Sequence, residues 1–392
     1  MRDILHCDLN NFFASVECLK RPELKKVPMA VCGDPNSRHG IILAKNDIAK
    51  KFGIVTAETV YSARNKCPNL VLVSSSYSDY KKYSKIVNEI YLKYTDRVEP
   101  FGIDESFLDI TESKKLFGSP ENIAFKIKEE VKEKTGLTIS VGVSFTKALA
   151  KLGSDMKKPD AITVLDSENY KKKIYNLPVN MLLFVGKSAE KSLKQVGIYT
   201  IGDLANSNVE KVKKILGKLG ETIHNYANGL DFEQVKKYTD ERIPKSISKG
   251  RTFSLDTHDM NFLEKEIRNL TNYVVNELRS YNMLARSVSV IIKSKDFKVI
   301  NRQTKIIETN NYQDILKGIL KLFEANYIGN YDIRMVTVGV SDLIKENDVT
   351  QISMFDKTND KKNNINKVID NINKKCGKEI VGFSYISNQN KI

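Results

Sequence analysis

The spacing of apolar positions divides the first 165 residues into short strands and helices. In order, it predicts a strand at 4–7, helices at 13–20, 43–53 and 79–94, a strand at 107–110, a helix at 121–134 and a strand at 137–143. The helix at 79–94 carries its apolar residues on one face, as expected of a helix packed on a core. This alternation predicts an α+β sheet with helices on one face, a palm-like arrangement in which acidic side chains can gather at strand ends.

The pattern changes after residue 165. Two short helical units contain glycine turns, at 183–187 and 196–202. Turns of this kind offer backbone N–H groups to a phosphate. The later elements are a polar, basic linker at 241–250, helices at 262–280 and 312–326, and strands at 288–293 and 335–340. They predict a second α+β domain, followed by a polar tail with one apolar island at 351–355.

Composition narrows the classes of protein that fit this pattern. The 392 residues predict two to four domains, and 41% apolar residues exclude a chain that is disordered throughout. We expect neither a signal peptide nor a membrane helix, which needs about 20 apolar residues. Five cysteines without a CxxC pair predict neither a zinc site nor a disulfide framework and favour a reduced, cytoplasmic compartment. A net charge of +15 points to a polyanionic partner such as nucleic acid, but charge alone fits a merely lysine-rich background equally well.

Two acidic positions are the candidates for chemistry. Asp8 ends an apolar strand, and Asp104 and Glu105 precede another. Carboxylates among apolar strand residues are costly to bury unless a cation compensates them, and Mg²⁺ prefers such oxygen ligands. Two Mg²⁺ ions about 3.5–4 Å apart clamp the attacking and leaving oxygens of a phosphoryl transfer. The alternative is that these groups are solvated acids at strand ends.

Three motifs resemble those of the Y-family DNA polymerases, in the same order and spacing. They read DLNNFFASVE at 8–17, IDESFLD at 103–109, and SVGVS at 140–144 followed by KALAKLGSDMKKP at 147–159. The resemblance runs from residue 1 through the tail. It implies an α+β right-hand polymerase whose parts are a ferredoxin-like palm (1–10 and 76–164), small fingers (11–75), a helix-hairpin-helix thumb (165–240), a linker (241–250), an α+β little finger (251–345) and a tail (346–392).

The resemblance also implies roles for single residues. Asp8, Asp104 and the backbone carbonyl of Leu9 would hold the Mg²⁺ bound to the nucleotide. Asp8, Asp104 and Glu105 would hold a second Mg²⁺ that activates the primer 3′-hydroxyl, and Mn²⁺ can substitute for either. The remaining nucleotide contacts are the N–H groups around Asn11, Phe12 and Phe13, the charge of Lys158, and the ring of Phe13 as a steric gate that excludes the ribose 2′-hydroxyl.

Two short segments depart from the family pattern. Many members carry Tyr and Arg on the fingers helix, where this chain has Asp47 and Lys50. Lys50 can act as a point charge without the fork of arginine, whereas Asp47 would repel phosphate. Either the helix is rotated, or another cation such as Lys45 contacts the triphosphate instead. The first thumb turn also departs, reading Phe-Val-Gly-Lys at 184–187 instead of Pro-Gly-Val-Gly.

The resemblance further implies contacts with DNA and with a protein partner. The expected phosphate contacts are Gly186, Lys187, Gly197 and Gly202 in the thumb, and Arg251, Arg286, Lys293, Lys295 and Lys298 in the little finger. The sequence QISMF at 351–355 resembles the peptide that bacterial polymerases insert into the β sliding clamp. There Gln351 would fix orientation, while Met354 and Phe355 fill an apolar pocket.

Together these features predict a monomeric, template-directed, low-fidelity translesion DNA polymerase without proofreading, active in DNA repair and damage tolerance and associated with the nucleoid when on DNA. Two alternatives remain. A non-catalytic relative that binds DNA and recruits others would lack the acidic residues Asp8, Asp104 and Glu105. A palm-fold nucleotidyl cyclase would need neither a hairpin thumb nor a basic second domain.

Overall fold

A computed structural model describes residues 2–35, 40–240 and 243–346. The chain forms two units, Met1–Asp240 and Glu241–Ile392. The predicted clamp peptide, with Gln351, Met354 and Phe355, lies outside the described residues. Within the described ranges, no helix is long and apolar enough to cross a membrane.

The main sheet of the first unit has five strands. They are β1 (Ile4–Leu9), β5 (Val98–Pro100), β6 (Glu105–Asp109), β7 (Ile139–Ser144) and β8 (Ile162–Leu165), in the spatial order β5-β6-β1-β7-β8. Strand β1 is central and pairs antiparallel with both β6 and β7, while β7 and β8 run parallel. Every residue of β1 and β7 is buried, as expected for strands covered on both faces.

Helices cover both faces of this sheet, which corrects the prediction that they lie on one. Helices α4 (Tyr77–Tyr91) and α6 (Pro120–Thr135) contribute to one core with Leu5 and Cys7 of β1. Helix α7 (Lys147–Met156) packs on the opposite face, where Ala150 contacts the side of the sheet that carries Ile4 and Phe107. The short helix α5 (Lys114–Phe117) precedes α6.

A smaller sheet is inserted between β1 and α4. It contains β2 (Met29–Cys32), β3 (Ile42–Lys45) and β4 (Val71–Ser74) in the order β3-β2-β4, with helices α1 (Phe12–Lys20), α2 (Asp47–Lys51) and α3 (Val60–Lys66) and a 3₁₀ turn at Pro22–Lys26. The predicted helix over 43–53 is therefore too long. Its first residues pair with β2, and α2 begins only after Asn46, whose side chain accepts a hydrogen bond from the Ala49 N–H.

The last part of the first unit is helical. It comprises α8 (Tyr170–Ile174), a 3₁₀ turn at Val179–Met181, α9 (Lys187–Lys194), α10 (Ile201–Asn206), α11 (Val209–Leu216) and α12 (Lys218–Ala227). Gly197 and Gly217 have positive φ angles of 83° and 62° and lie in the turns between consecutive helices. These helices share a core with Leu149 and Leu152 of α7. This core anchors them to the five-stranded main sheet, which we call the palm sheet.

The second unit is a four-stranded sheet with two helices. The strands are β9 (Ser246–Thr257), β10 (Met283–Ser294), β11 (Val299–Thr309) and β12 (Ile333–Lys345), in the order β11-β10-β12-β9, and the helices are α13 (Met260–Ser280) and α14 (Tyr312–Asn326). The predicted linker at 241–250 is partly wrong, because β9 begins at Ser246 and pairs with β12. Its exposed Ser, Lys and Gly residues belong to an edge strand, so the apolar pattern that would reveal it is missing.

Candidate active site

The antiparallel register of the palm sheet brings the three predicted carboxylates together. Asp8 in β1 lies directly opposite Glu105 in β6, and Asp104 immediately precedes β6. The Leu9 N–H donates to the carbonyl of Asp104 at 3.0 Å, which ties the ends of the two strands. Side chains alternate along a strand, so Asp8 faces the same side as His6, toward α7. Asp8 is only 5% exposed.

Two lysines from the α7 region lie against two of these acids, Asp8 and Glu105. Lys158 Nζ lies 2.7 Å from Asp8 Oδ2, and Lys151 Nζ lies 2.9 Å from Glu105 Oε1 and 3.4 Å from Asp8 Oδ2. Asp155 holds both ammonium groups, at 3.3 Å from Lys151 and 2.8 Å from Lys158. The sequence predicted Lys158 as a contact to the nucleotide phosphates and gave Lys151 no role, whereas here both lie against carboxylates. The only sequence signal of Lys151 is a charge on the face of α7 that points to the sheet.

A buried histidine completes the support of Glu105. His6 is fully buried, its Nδ1 lies 2.8 Å from Ser154 Oγ, and its Nε2 lies 3.4 Å from Glu105 Oε2. Ser154 in turn donates to the carbonyl of Lys151 at 2.8 Å. Each carboxylate oxygen of Glu105 therefore has its own neighbour. Sequence reasoning missed His6 because a histidine in an apolar strand gives no signal of its contacts.

The electrostatics of the three acids differ. Burial, together with the negative charges of Asp8 and Glu105, raises the pKa of Asp104 to about 6. Burial also raises the pKa of Asp8, although Lys158 opposes this. Burial would raise the pKa of Glu105 as well, but the nearby His6 ring and the hydrogen bond from Lys151 hold it well below its usual range. Asp104 thus carries the least compensated negative charge of the three.

This donor set fits a divalent cation. Asp8, Asp104 and Glu105 supply the hard oxygens that Mg²⁺ prefers, and the raised pKa of Asp104 reflects burial and crowded negative charge, which a cation would relieve. Within the described ranges, no three His, Cys, Asp or Glu side chains converge tightly enough to form a metal centre as they stand. The ammonium groups of Lys151 and Lys158 instead lie against the carboxylates.

The loop after β1 offers backbone donors. Asn11 is the N-cap of α1 with a φ of 48°, a conformation that asparagine tolerates better than most residues, and its side chain makes no capping hydrogen bond. The first N–H groups of a helix lack partners within it, so those of Phe12 and Phe13 are available to an anion. Phe12 is buried in the core, whereas Phe13 is only partly buried.

The departure at Asp47 has a structural explanation. The Asn11 side chain donates to Asp47 Oδ1 at 3.0 Å, so this acid ties α2 to the loop after β1. Lys50, one turn further on, is exposed. Lys45 donates to Thr56 Oγ1 at 3.1 Å, and burial together with the charge of Lys50 lowers the pKa of Lys45. Both lysines therefore bring positive charge to this side of the fingers.

The predicted thumb contacts are only partly accessible. Gly186 is the N-cap of α9, which begins at Lys187, and open space surrounds Gly186 and Gly197. Gly202 is different, because it is buried and its N–H donates to the carbonyl of Tyr175 at 2.9 Å. A β-carbon at Gly202 would lie 2.9 Å from that carbonyl oxygen. Gly202 is therefore a packing residue, and its prediction as a phosphate contact is wrong.

Most predicted contacts of the second unit form ion pairs within that unit. Arg251 lies 2.7 Å from Glu266, Arg286 lies 2.9 Å from Glu308, and Lys295 lies 3.1 Å from Asp332. The ammonium of Lys293 lies 4.7 Å from the centroid of the Phe297 ring, and Lys298 is exposed. These side chains are at the surface, where pairing of this kind is weak enough to exchange for phosphate.

Comparisons with known proteins match all parts of the chain to the same kind of protein. Residues 7–155 match the impB/mucB/samB family, residues 244–354 match the C-terminal domain of that family, and residues 184–231 match the thumb domain of DNA polymerase iota. The chain is 46% identical to DNA polymerase IV of Acetivibrio thermocellus over 90% of this chain and 89% of the relative. It is 37% identical to DNA polymerase IV of Clostridium acetobutylicum over 96% of each.

Solved structures agree with the fold. A Y-family DNA polymerase chimera of Dbh and Dpo4 superposes with a TM-score of 0.77 at 24% identity, and DinB from Sulfolobus solfataricus with 0.59 at 23%. Both alignments cover 88% of this chain and 99% of the other. The palm sheet with its acids and the helical thumb define a right-hand polymerase. The chain belongs to the Y-family DNA polymerases, close to bacterial DNA polymerase IV, and is a translesion, DNA-directed DNA polymerase, which confirms the predicted family, fold class and activity.

Proposed function

We propose that Asp8, Asp104 and Glu105 are the catalytic carboxylates with which this enzyme extends a primer 3′ end on a DNA template. Its substrates are primer-template DNA and deoxynucleoside triphosphates. The observation that carries the proposal is the pairing of Asp8 with Glu105 across β1 and β6, with Asp104 beside them. Three acids at one end of a buried sheet are costly to bury without cations. Lys151 and Lys158 lie against Asp8 and Glu105, so a bound metal ion would above all compensate Asp104.

Y-family polymerases depend on divalent metals, and we propose two Mg²⁺ ions here, with Mn²⁺ as a substitute. Asp8, Asp104 and the Leu9 carbonyl would hold the first, and Asp8, Asp104 and Glu105 the second. When bound, such ions supply the neutralisation of phosphate charge and the activation of a hydroxyl. Lys151 and His6 keep the Glu105 carboxylate oriented and ionised toward that site.

The nucleotide would be bound by groups on both sides of the acids. The N–H groups of Asn11, Phe12 and Phe13 would meet the triphosphate, because a helix N-terminus attracts anions. Lys158 would neutralise phosphate charge, and Lys50 would add a cation from the fingers. The partly buried ring of Phe13 would lie against the sugar and exclude a 2′-hydroxyl.

Primer-template contacts would come from Gly186, Lys187 and Gly197 in the thumb, and from the cationic side chains of the second unit. These groups would contact phosphates and would not read sequence.

We further propose that Gln351, Met354 and Phe355 bind the β sliding clamp. We propose a monomer that acts in the bacterial cytoplasm and on the nucleoid, where its template lies.

Primer extension with purified protein, Mg²⁺ and the four deoxynucleotides tests this assignment. We expect Glu105→Ala to lower the extension rate by about 10³-fold or more, because the second ion would lose a ligand. Glu112→Ala, an exposed acid of the same unit, serves as the matched control and should extend at the wild-type rate. Equal rates for Glu105→Ala and wild type would contradict the assignment. Intact DNA binding by a wild-type protein that fails to extend would favour the non-catalytic alternative.

A further inference from the structure

The ring of Phe13 rests on a second aromatic ring. Tyr80 in α4 stacks on Phe13 in α1 with ring centroids 4.1 Å apart and planes inclined by 10°. Tyr80 is fully buried, whereas Phe13 is only partly buried. One face of the Phe13 ring is therefore covered by a ring that the core holds in place. The position of Phe13 depends on where Tyr80 is held.

A hydrogen bond fixes the far end of Tyr80. Its hydroxyl donates to Glu17 Oε1 at 2.8 Å, and Glu17 is only 2% exposed. Burial raises the pKa of the Tyr80 hydroxyl, so it remains a donor throughout the neutral range. Lys20 and Arg21 lie 3.7 and 3.8 Å from the other carboxylate oxygen of Glu17 and partly compensate its buried charge. This carboxylate is anchored independently of Tyr80.

Helix geometry explains why one tyrosine can serve both contacts. Phe13 and Glu17 are four residues apart in α1 and so lie on the same face, one turn above the other. Tyr80 spans that turn, with its ring against Phe13 and its hydroxyl against Glu17. The stacking contact on the ring face and the hydrogen bond of the hydroxyl together prevent Tyr80 from sliding along α1. Neither Glu17 nor Tyr80 is a ligand or donor in the nucleotide site described above.

We propose that Glu17 and Tyr80 are positioning residues that fix the steric gate and thereby set the discrimination of this polymerase against ribonucleotides. The inference rests on the proposed role of Phe13 as that gate. A ring that excludes a single hydroxyl must be held to within a fraction of an ångström, because interior packing transmits small shifts directly. Loss of the Tyr80 hydroxyl bond lets the stacked pair relax away from the sugar and admits the 2′-hydroxyl.

The test is the ratio of kcat/KM for a deoxynucleotide to that for the matching ribonucleotide, in primer extension by the full-length protein. Tyr80→Phe keeps the ring and removes only the hydroxyl, and we expect the ratio to fall about threefold to tenfold, the range that corresponds to the net contribution of one hydrogen bond. Glu17→Leu should lower the ratio similarly. Glu17→Gln keeps an oxygen acceptor and should restore most of it. Deoxynucleotide incorporation should remain in all three variants.

The chain supplies a matched control. Tyr94 donates to Glu130 at 2.8 Å, a tyrosine–glutamate bond of the same length in the same unit, but its ring packs on Phe117 instead of Phe13. Tyr94→Phe should leave the ratio at the wild-type value, even if it lowers the melting temperature as much as Tyr80→Phe does. Wild-type ratios in Tyr80→Phe and Glu17→Leu, or an equal fall in Tyr94→Phe, would overturn the inference while leaving the polymerase assignment intact. A wild-type enzyme that incorporates neither nucleotide would overturn both.

Discussion

Charged side chains are arranged differently in the palm and in the second unit. In the palm, Asp8 and Glu105 are largely buried and each contacts at least two basic groups. In the second unit, Arg286 and Lys295 are about half exposed and each pairs with one acid at the surface. The first arrangement is costly to form and fixes geometry. The second costs little and leaves each side chain free to exchange partners.

This difference is the one expected between a reaction centre and a surface that binds a polyanion. A reaction centre needs a few groups in one geometry, so a single substitution should have a large effect. A surface that binds a polyanion needs many interchangeable charges, so a single substitution should have a small effect. The following experiments test that contrast, from the largest expected effect to the smallest.

Gly142→Ala should abolish the palm geometry altogether. Gly142 in β7 lies under α7, and a β-carbon there would lie 1.9 Å from the Ala150 carbonyl oxygen and 2.5 Å from the Ser154 nitrogen. Both are backbone atoms that cannot move aside without shifting the helix that carries Lys151. We expect a loss of more than about 3 kcal/mol in the free energy of unfolding, measured by urea unfolding. Gly33→Ala, whose β-carbon would meet open space, is the control. Equal stability of the two variants would contradict the close contact of β7 and α7.

Lys151→Met should impair catalysis while preserving the fold. The substitution keeps much of the side-chain volume and removes the ammonium that lies between Asp8 and Glu105. We expect kcat/KM for deoxynucleotide to fall about tenfold to hundredfold, because a charged hydrogen bond to each acid is lost. Lys147→Met is the matched control, since Lys147 lies one turn away on α7, is more deeply buried than Lys151 and pairs with Glu99 at 3.0 Å. If both variants lose activity equally, the effect is one of packing and the electrostatic explanation fails.

Glu130→Gln should reveal a pH-dependent contribution from a multiply paired carboxylate outside the active site. Burial would raise the pKa of Glu130, but hydrogen bonds from Lys134, Lys93 and Tyr94 lower it from 4.5 to about 2. Folding thus favours the ionised form, so the stabilisation is complete above the unfolded pKa and is lost as pH falls toward 2. We expect the variant to be less stable by about 1–2 kcal/mol at pH 7 and nearly equal to wild type near pH 2. A difference that does not shrink on acidification would refute this account.

The sequence predicted the three acids but not their contacts with basic residues. Asp8, Asp104 and Glu105 lie in two short motifs that resemble those of the Y-family polymerases, and this resemblance predicted them as one site, whereas the residue types alone left solvated acids as the alternative. Lys151 and His6 acquire their roles only because Gly142 lets α7 approach the sheet, and that contact joins residues far apart in sequence. The main helices follow their apolar spacing. The edge strand at Ser246–Thr257 was partly missed because its solvated face removes the alternation on which such a prediction depends.

The smallest effect is expected for a single cation of the second unit. Arg286→Ala should weaken primer-template binding about twofold to fivefold and reduce the slope of log affinity against log salt by about 0.9, the value for one phosphate contact. Glu308→Gln should act in the opposite direction, because it removes the acid that now pairs with Arg286 at 2.9 Å. Anisotropy of a labelled primer-template across a potassium chloride series measures both. An unchanged slope in Arg286→Ala would remove this residue from the DNA contacts, and a tenfold or greater loss would mean that the surface concentrates binding energy in single residues, as the palm does.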